Sequence, residues 1–161
     1  MISQALLPEF DHEMGTTRQY LDRLPEAHAQ FQPHGKSMTL AQLASHIAAM
    51  AGWVVPALNT DELDITGYQP HVVTTRTDLL KLFDQNVEAA RAAIEAMEDR
   101  DWMKPWALKM GGHTAFSLPK IGVVRSMIIN HIIHHRGQLS VYYRLTGVAV
   151  PSTYGPSADE R

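Results

Sequence analysis

The sequence predicts an all-α fold, a bundle of four helices joined by long connecting loops. Two observations carry that expectation. Four segments repeat apolar residues at alternating steps of three and four, which places one stripe along a helix. The segments are about 20 residues long or, for the last, somewhat longer, and stretches rich in proline, glycine and polar residues separate them. Helices with a single apolar stripe bury it against one another.

The first helix is expected over about 2–24, with Leu7, Phe10, Met14, Thr17, Leu21 and Leu24 on its stripe. Pro25 ends it, because the proline ring cannot continue the hydrogen-bond ladder. After a polar stretch over 30–36, Thr39 and Gln42 have the spacing of a capping box. The second helix follows over about 39–58, with Leu40, Leu43, Ile47, Met50 and Val54 inside. Its many alanines let neighbours approach closely, and Pro56 predicts a kink or fraying near its end.

Residues 59–75 read as a long connection. Thr77 or Thr75 caps a third helix over about 77–98, striped by Leu80, Phe83, Val87, Ala90, Ile94 and Met97. The stretch 99–118, with Pro105 and Gly111-Gly112, reads as irregular; its alternative is a short hairpin of 102–110 against 114–118 across the glycines. The fourth helix covers about 119–146, opened by Pro119 and closed by Gly147. The tail over 148–161 is too rich in proline and glycine to be helical. A loop of some 17 residues spans about 50 Å, more than the ~30 Å of such a helix, so parallel crossovers are allowed.

At 161 residues the chain fits one domain, 1–161, and its 45% hydrophobic and 19% charged content is ordinary for a globular protein. There is no cysteine. Disulfides, thiolate ligands and a cysteine nucleophile are thereby excluded, so any metal is held by nitrogen and oxygen. The net charge is −3 with acids and bases interleaved, which argues against a nucleic-acid partner. No run of about 18 apolar residues predicts a membrane span, and the N-terminus does not read as a signal peptide. A cytoplasmic location is the expectation.

Nine histidines stand in the chain, and their positions matter more than their number. With His135 at zero on a helical wheel, His131 falls at about −40°, Ile128 at about +20°, Leu139 at about +40° and Tyr142 at about −20°. Both histidines therefore lie within the apolar stripe, while His134 falls about 100° away. Two imidazoles four residues apart on one face can converge on a single ion. The alternative is a pair of core histidines satisfied by carbonyls or water. His46, between Leu43 and Met50 and flanked by alanines, borders the buried face of the second helix and supplies a third candidate ligand. His12, His28, His34, His71 and His113 read as solvated, with His71 or His113 placed so that either could reach a site mouth. Arg125 and Arg136 read as solvated or ion-paired. Trp53, Trp102, Trp106, Tyr142 and Tyr143 read as packing residues.

These residues carry a family resemblance over nearly the whole chain. The segment 38–47 around His46, the run Asn-His-Ile-Ile-His-His-Arg-Gly-Gln-Leu over 130–139, and 142–147 followed by Val-Pro-Ser-Thr-Tyr-Gly over 150–155 resemble the DinB-like proteins. That group is also described as DinB/YfiT-like metalloenzymes. The resemblance implies a four-helix bundle in up-down-down-up order, often a homodimer. It also implies a divalent ion on three histidines, which map onto His46, His131 and His135. Many family members are known as stress- or damage-induced proteins, and related branches use low-molecular-weight thiols.

Three neutral imidazoles with no fourth protein ligand describe an open site that keeps a position for water or substrate. Zinc or nickel is the expected ion; iron or manganese would also accept such ligands. Metal-dependent transfer to or from a small thiol, or hydrolysis, of a small-molecule substrate is the leading expectation. A non-catalytic, metal-stabilised, stress-related binding protein is the alternative. No catalytic acid or base and no further cofactor-binding residue can be named from the sequence.

Overall fold

The computed structural model describes residues 1–160. Its architecture is mixed, four helical columns and a three-stranded sheet, which corrects the all-α expectation. The columns are α1 (Ile2–Leu21), α2 (Leu40–Met50) continuing through a 3₁₀ turn into α3 (Val54–Asn59), α4 (Arg76–Ala96), and a run from α5 (Lys120–Gly122) into α6 (Asn130–Leu145). The sheet has the order β1 (Glu62–Asp64), β2 (Pro105–Met110), β3 (His113–Pro119). β1 is parallel to β2, and β2 is antiparallel to β3.

Local chemistry explains the boundaries. The capping box at the start of α2 is complete: Gln42 N–H donates to Thr39 Oγ1 at 3.2 Å, and Thr39 N–H donates to Gln42 Oε1 at 2.8 Å. Pro56 has no N–H to give the Gly52 carbonyl, and the helix tightens to 3₁₀ over Ala51–Trp53, one turn earlier than the expected kink. Thr75, rather than Thr77, caps α4 by accepting from Asp78 N–H. The last column contains a π-helical stretch, Val123–Ile129, that periodicity did not foresee. It ends in a Schellman arrangement, with Val148 N–H on the Tyr143 carbonyl and Gly147 at φ +74°.

The hairpin alternative is the one the chain adopts. Gly111 and Gly112, at φ +61° and +76°, form the two-residue turn between paired Met110 and His113. Positive φ at both central residues is what a type I′ turn requires. Trp106 pairs with Leu118 and Leu108 with Phe116, so alternate residues make one apolar face. That face packs against the core, whose fully buried large side chains include Phe10, Leu21, Ile47, Phe83, Trp102, Ile132 and Tyr143.

Cross-helix contacts fix the arrangement of the columns. Arg18 meets Asp84 and Arg91 meets Asp11, so α1 and α4 run in opposite directions. Arg136 meets Glu13, and the Tyr143 hydroxyl donates to the Tyr20 carbonyl, so α1 and α6 run together. Asn86 donates to the Ala48 carbonyl across α4 and α2. The Leu40–Asn59 column is the only described segment long and apolar enough to cross a membrane, but 61% of it is buried inside the protein. It is a core element.

Candidate metal centre

His46 enters from α2, and His131 and His135 from α6. Small buried neighbours, Ala44 and Ala48, let α6 approach α2 at this level. Ser45 secures the other side: its Oγ accepts from Val73 N–H at 2.8 Å, tying the 60–75 connection to α2. One possible ligand atom from each histidine lies within 4.8 Å of those from the other two. Ring centroids are 5.3 Å apart for His46 and His131, 4.7 Å for His46 and His135, and 4.5 Å for His131 and His135.

A hydrogen bond sets the direction in which one of these rings presents its lone pair. His135 Nδ1–H donates to Gln138 Oε1 at 2.7 Å, which leaves Nε2 as the acceptor nitrogen. Burial lowers the pKa of His131, the Met127 carbonyl one turn back opposes that shift, and His131 Nε2 faces His135 Nε2 at 2.8 Å. Two lone pairs this close repel unless a proton or a cation satisfies both. Burial disfavours the proton. It is the main cause of lowered pKa values at all three rings, and with the neighbouring His135 and His131 it pushes His46 down to about 4. A converging set of three neutral imidazole nitrogens fits a borderline divalent cation such as zinc or nickel.

Beside the cluster lies a cavity of about 180 Å³, with His46 and His131 in its wall. Trp53 from the 3₁₀ turn, Trp106 and Leu108 from β2 and Phe116 from β3 line the rest, with methionines and branched residues of α2 and the π-helical stretch. None of the lining residues is Asp, Glu, Lys or Arg. The sheet is therefore part of the site's enclosure.

The other histidines stand apart. His134 is exposed and accepts from the Gln138 amide at 3.1 Å, outside the cluster. His12, His28, His34, His71 and His113 are exposed, and neither His71 nor His113 lines the cavity. Arg125 pairs with Glu9 on the surface, whereas Arg136 is almost wholly buried and pairs with Glu13 at 2.7 Å. Trp102, Tyr142 and Tyr143 are core residues as expected; Trp53 and Trp106 have the added role of cavity walls. Gln138 was missed by sequence reasoning, although its place three residues after His135 was a visible signal.

This fold has known counterparts. The chain belongs to the DinB superfamily, whose family model matches residues 9–139. It is 25% identical over 154 residues to the uncharacterized protein YrdA of Bacillus subtilis (strain 168), covering 96% of this chain and 89% of that one. A DinB-like protein from Bacillus cereus ATCC 10987 has a similar crystal structure, with TM-score 0.73 and 22% identity, covering 94% of this chain and 97% of that one. The DinB-like protein YjoA of Bacillus subtilis aligns with TM-score 0.69 and 19% identity over 98% and 99% of the two chains.

Proposed function

We propose that the protein binds one divalent metal ion through His46, His131 and His135 and is a metal-dependent enzyme acting on a small molecule. The observation that carries this reading is the convergence of three imidazole nitrogens beside an apolar cavity. Gln138 holds the His135 ring with its Nε2 towards His131, so little rearrangement of that ring is needed on binding. A divalent ion there supplies Lewis acidity and lowers the pKa of a water or thiol at its free position. The apolar walls lower the local dielectric and strengthen electrostatic effects in the site.

The cavity lining holds no carboxylate to act as a general base. That favours a small thiol as nucleophile over water, since a thiol ionises more readily, with a reference pKa near 8.5 against 15.7 for water. Transfer chemistry with a low-molecular-weight thiol is therefore the first choice and hydrolysis the second. Elemental analysis of the purified protein should find close to one zinc or nickel per chain, and His135→Ala should lose it. Turnover is then sought with electrophile-plus-thiol pairs and with simple esters, before and after chelation. Wild-type protein that binds no divalent ion would sink the reading.

A further inference from the structure

We infer that the cavity beside the histidines is a specificity pocket for a small, uncharged, apolar group on the substrate, about the size of a substituted benzene ring. The substrate sense of the word rests on the metal-centre reading; the binding preference itself does not.

Size is the first constraint. The cavity measures about 180 Å³, and an apolar protein cavity of about 150 Å³ holds a benzene molecule. A ring with one or two further heavy atoms fits; a nucleotide or a peptide does not. Chemistry is the second. Trp53, Trp106, Leu108 and Phe116 present rings and a branched chain, and no lining residue carries a formal charge. A carboxylate, phosphate or ammonium group placed among them would lose its hydration with no partner to replace it. The only titratable groups in the wall are His46 and His131. The polar, reacting end of the bound molecule therefore belongs at the histidine wall and its apolar end against the sheet.

The sheet determines which molecule is accepted. Leu108 and Phe116 are cross-strand partners on one face, and the Trp106 and Phe116 rings lie 6.2 Å apart. Substitutions on this face alter pocket volume without touching the histidines.

The test uses the full chain and toluene as a neutral probe, with benzoate and benzylammonium as charged counterparts of similar size. Binding is followed by intrinsic fluorescence, because two of the three tryptophans line the cavity. Titrations in chelator keep benzoate from ligating an ion, and zinc affinity is measured separately by calorimetry. Saturable toluene binding at least tenfold tighter than either charged probe is expected. Val123, from the π-helical stretch, also lines the cavity; Val123→Trp, which fills it, should weaken toluene at least tenfold and leave zinc affinity within threefold. Phe116→Ala is the second variant, should the first not fold; it should shift preference from toluene towards naphthalene. Charged probes binding as well as toluene, or toluene unaffected by both substitutions, would overturn the proposal. Zinc bound normally with toluene ignored would overturn it alone. Toluene bound as expected with no zinc taken up would support the pocket and overturn the metal centre instead.

Discussion

At the scale of single residues, Gln138 is placed to prepare the proposed centre. Its Oε1 holds the Nδ1 proton of His135, and its amide nitrogen donates to His134. Without it, His135 can exchange tautomers and rotate, so part of the binding free energy goes to restoring one orientation. Gln138→Ala should therefore weaken zinc about 10- to 100-fold, the usual cost of losing such a partner. Direct ligand loss in His46→Ala should cost more, and calorimetric titration of the two variants gives the order. Proton competition supplies a second expectation. A histidine binds metal in its neutral form, and His46 stays neutral down to about 4 against an ordinary 6.5, with His131 and His135 also lowered. Zinc affinity should therefore begin to fall at a lower pH than it would with free imidazoles, and protons should compete at His46 only near 4. The same shifts act on folding of the metal-free chain. The unfolded histidines take up protons first as pH falls below 6.5, so stability is full above that value and declines towards about 4. Melting temperatures of chelated protein across pH 4–7.5 should follow that slope, and His46→Ala should flatten it.

At the scale of elements, the ion pair between α1 and α6 sits next to the centre. Arg136 Nη2 donates to Glu13 Oε2 at 2.7 Å, Nη1 donates to Thr17 Oγ1 and to the Glu13 carbonyl, and Tyr154 from the tail adds its hydroxyl. Both partners are buried, and the guanidinium is the residue after His135. Removing one partner leaves the other charge uncompensated, so Glu13→Ala should cost about 3–5 kcal/mol in urea unfolding. Replacing both by apolar residues, Glu13→Leu with Arg136→Met, should recover much of that loss. Sequence could place Arg136 in an ion pair but not inside the protein, because its partner is 123 positions away. The helices themselves were legible, since stripes and caps are local signals: the Thr39–Gln42 box and Gly147 are where the spacing put them. The sheet was legible only in part. Gly111-Gly112 marked the hairpin, yet β1 is three residues, Glu62–Asp64, whose exposed–half-buried–exposed pattern is too short to read as alternation. Its pairing with β2 is a tertiary fact. The turn itself can be tested: Gly112→Ala meets no atom within 4 Å. The left-handed backbone alone should then cost about 1–2 kcal/mol.

At the scale of the whole molecule, the centre joins parts far apart in the chain: His46 from one column, His131 and His135 from another, and cavity walls from a hairpin between the last two columns. The wheel could put His131 and His135 on one face because burial faces are periodic, and the place of His46 between Leu43 and Met50 is the same kind of local signal. It could not find Trp106, Leu108 and Phe116 as walls, since nothing local says which helices a hairpin will cover. A ligand held across α2 and α6 binds the folded chain and not the unfolded one, so it should stabilise the entire fold. At free zinc about 100 times Kd the gain is about 2.7 kcal/mol, and at about 1,000 times it is about 4.1 kcal/mol. For a chain of 161 residues, with about 2–4 °C per kcal/mol, the first corresponds to a rise of roughly 5–11 °C in Tm. The rise should grow with the logarithm of free zinc, vanish on chelation, and be absent in His131→Ala, whereas magnesium should give none because it prefers oxygen ligands. Differential scanning calorimetry at several buffered zinc concentrations measures that slope. A Tm independent of zinc in the wild type would mean that the three rings meet for packing alone, and a rise retained in His131→Ala would place the ion elsewhere.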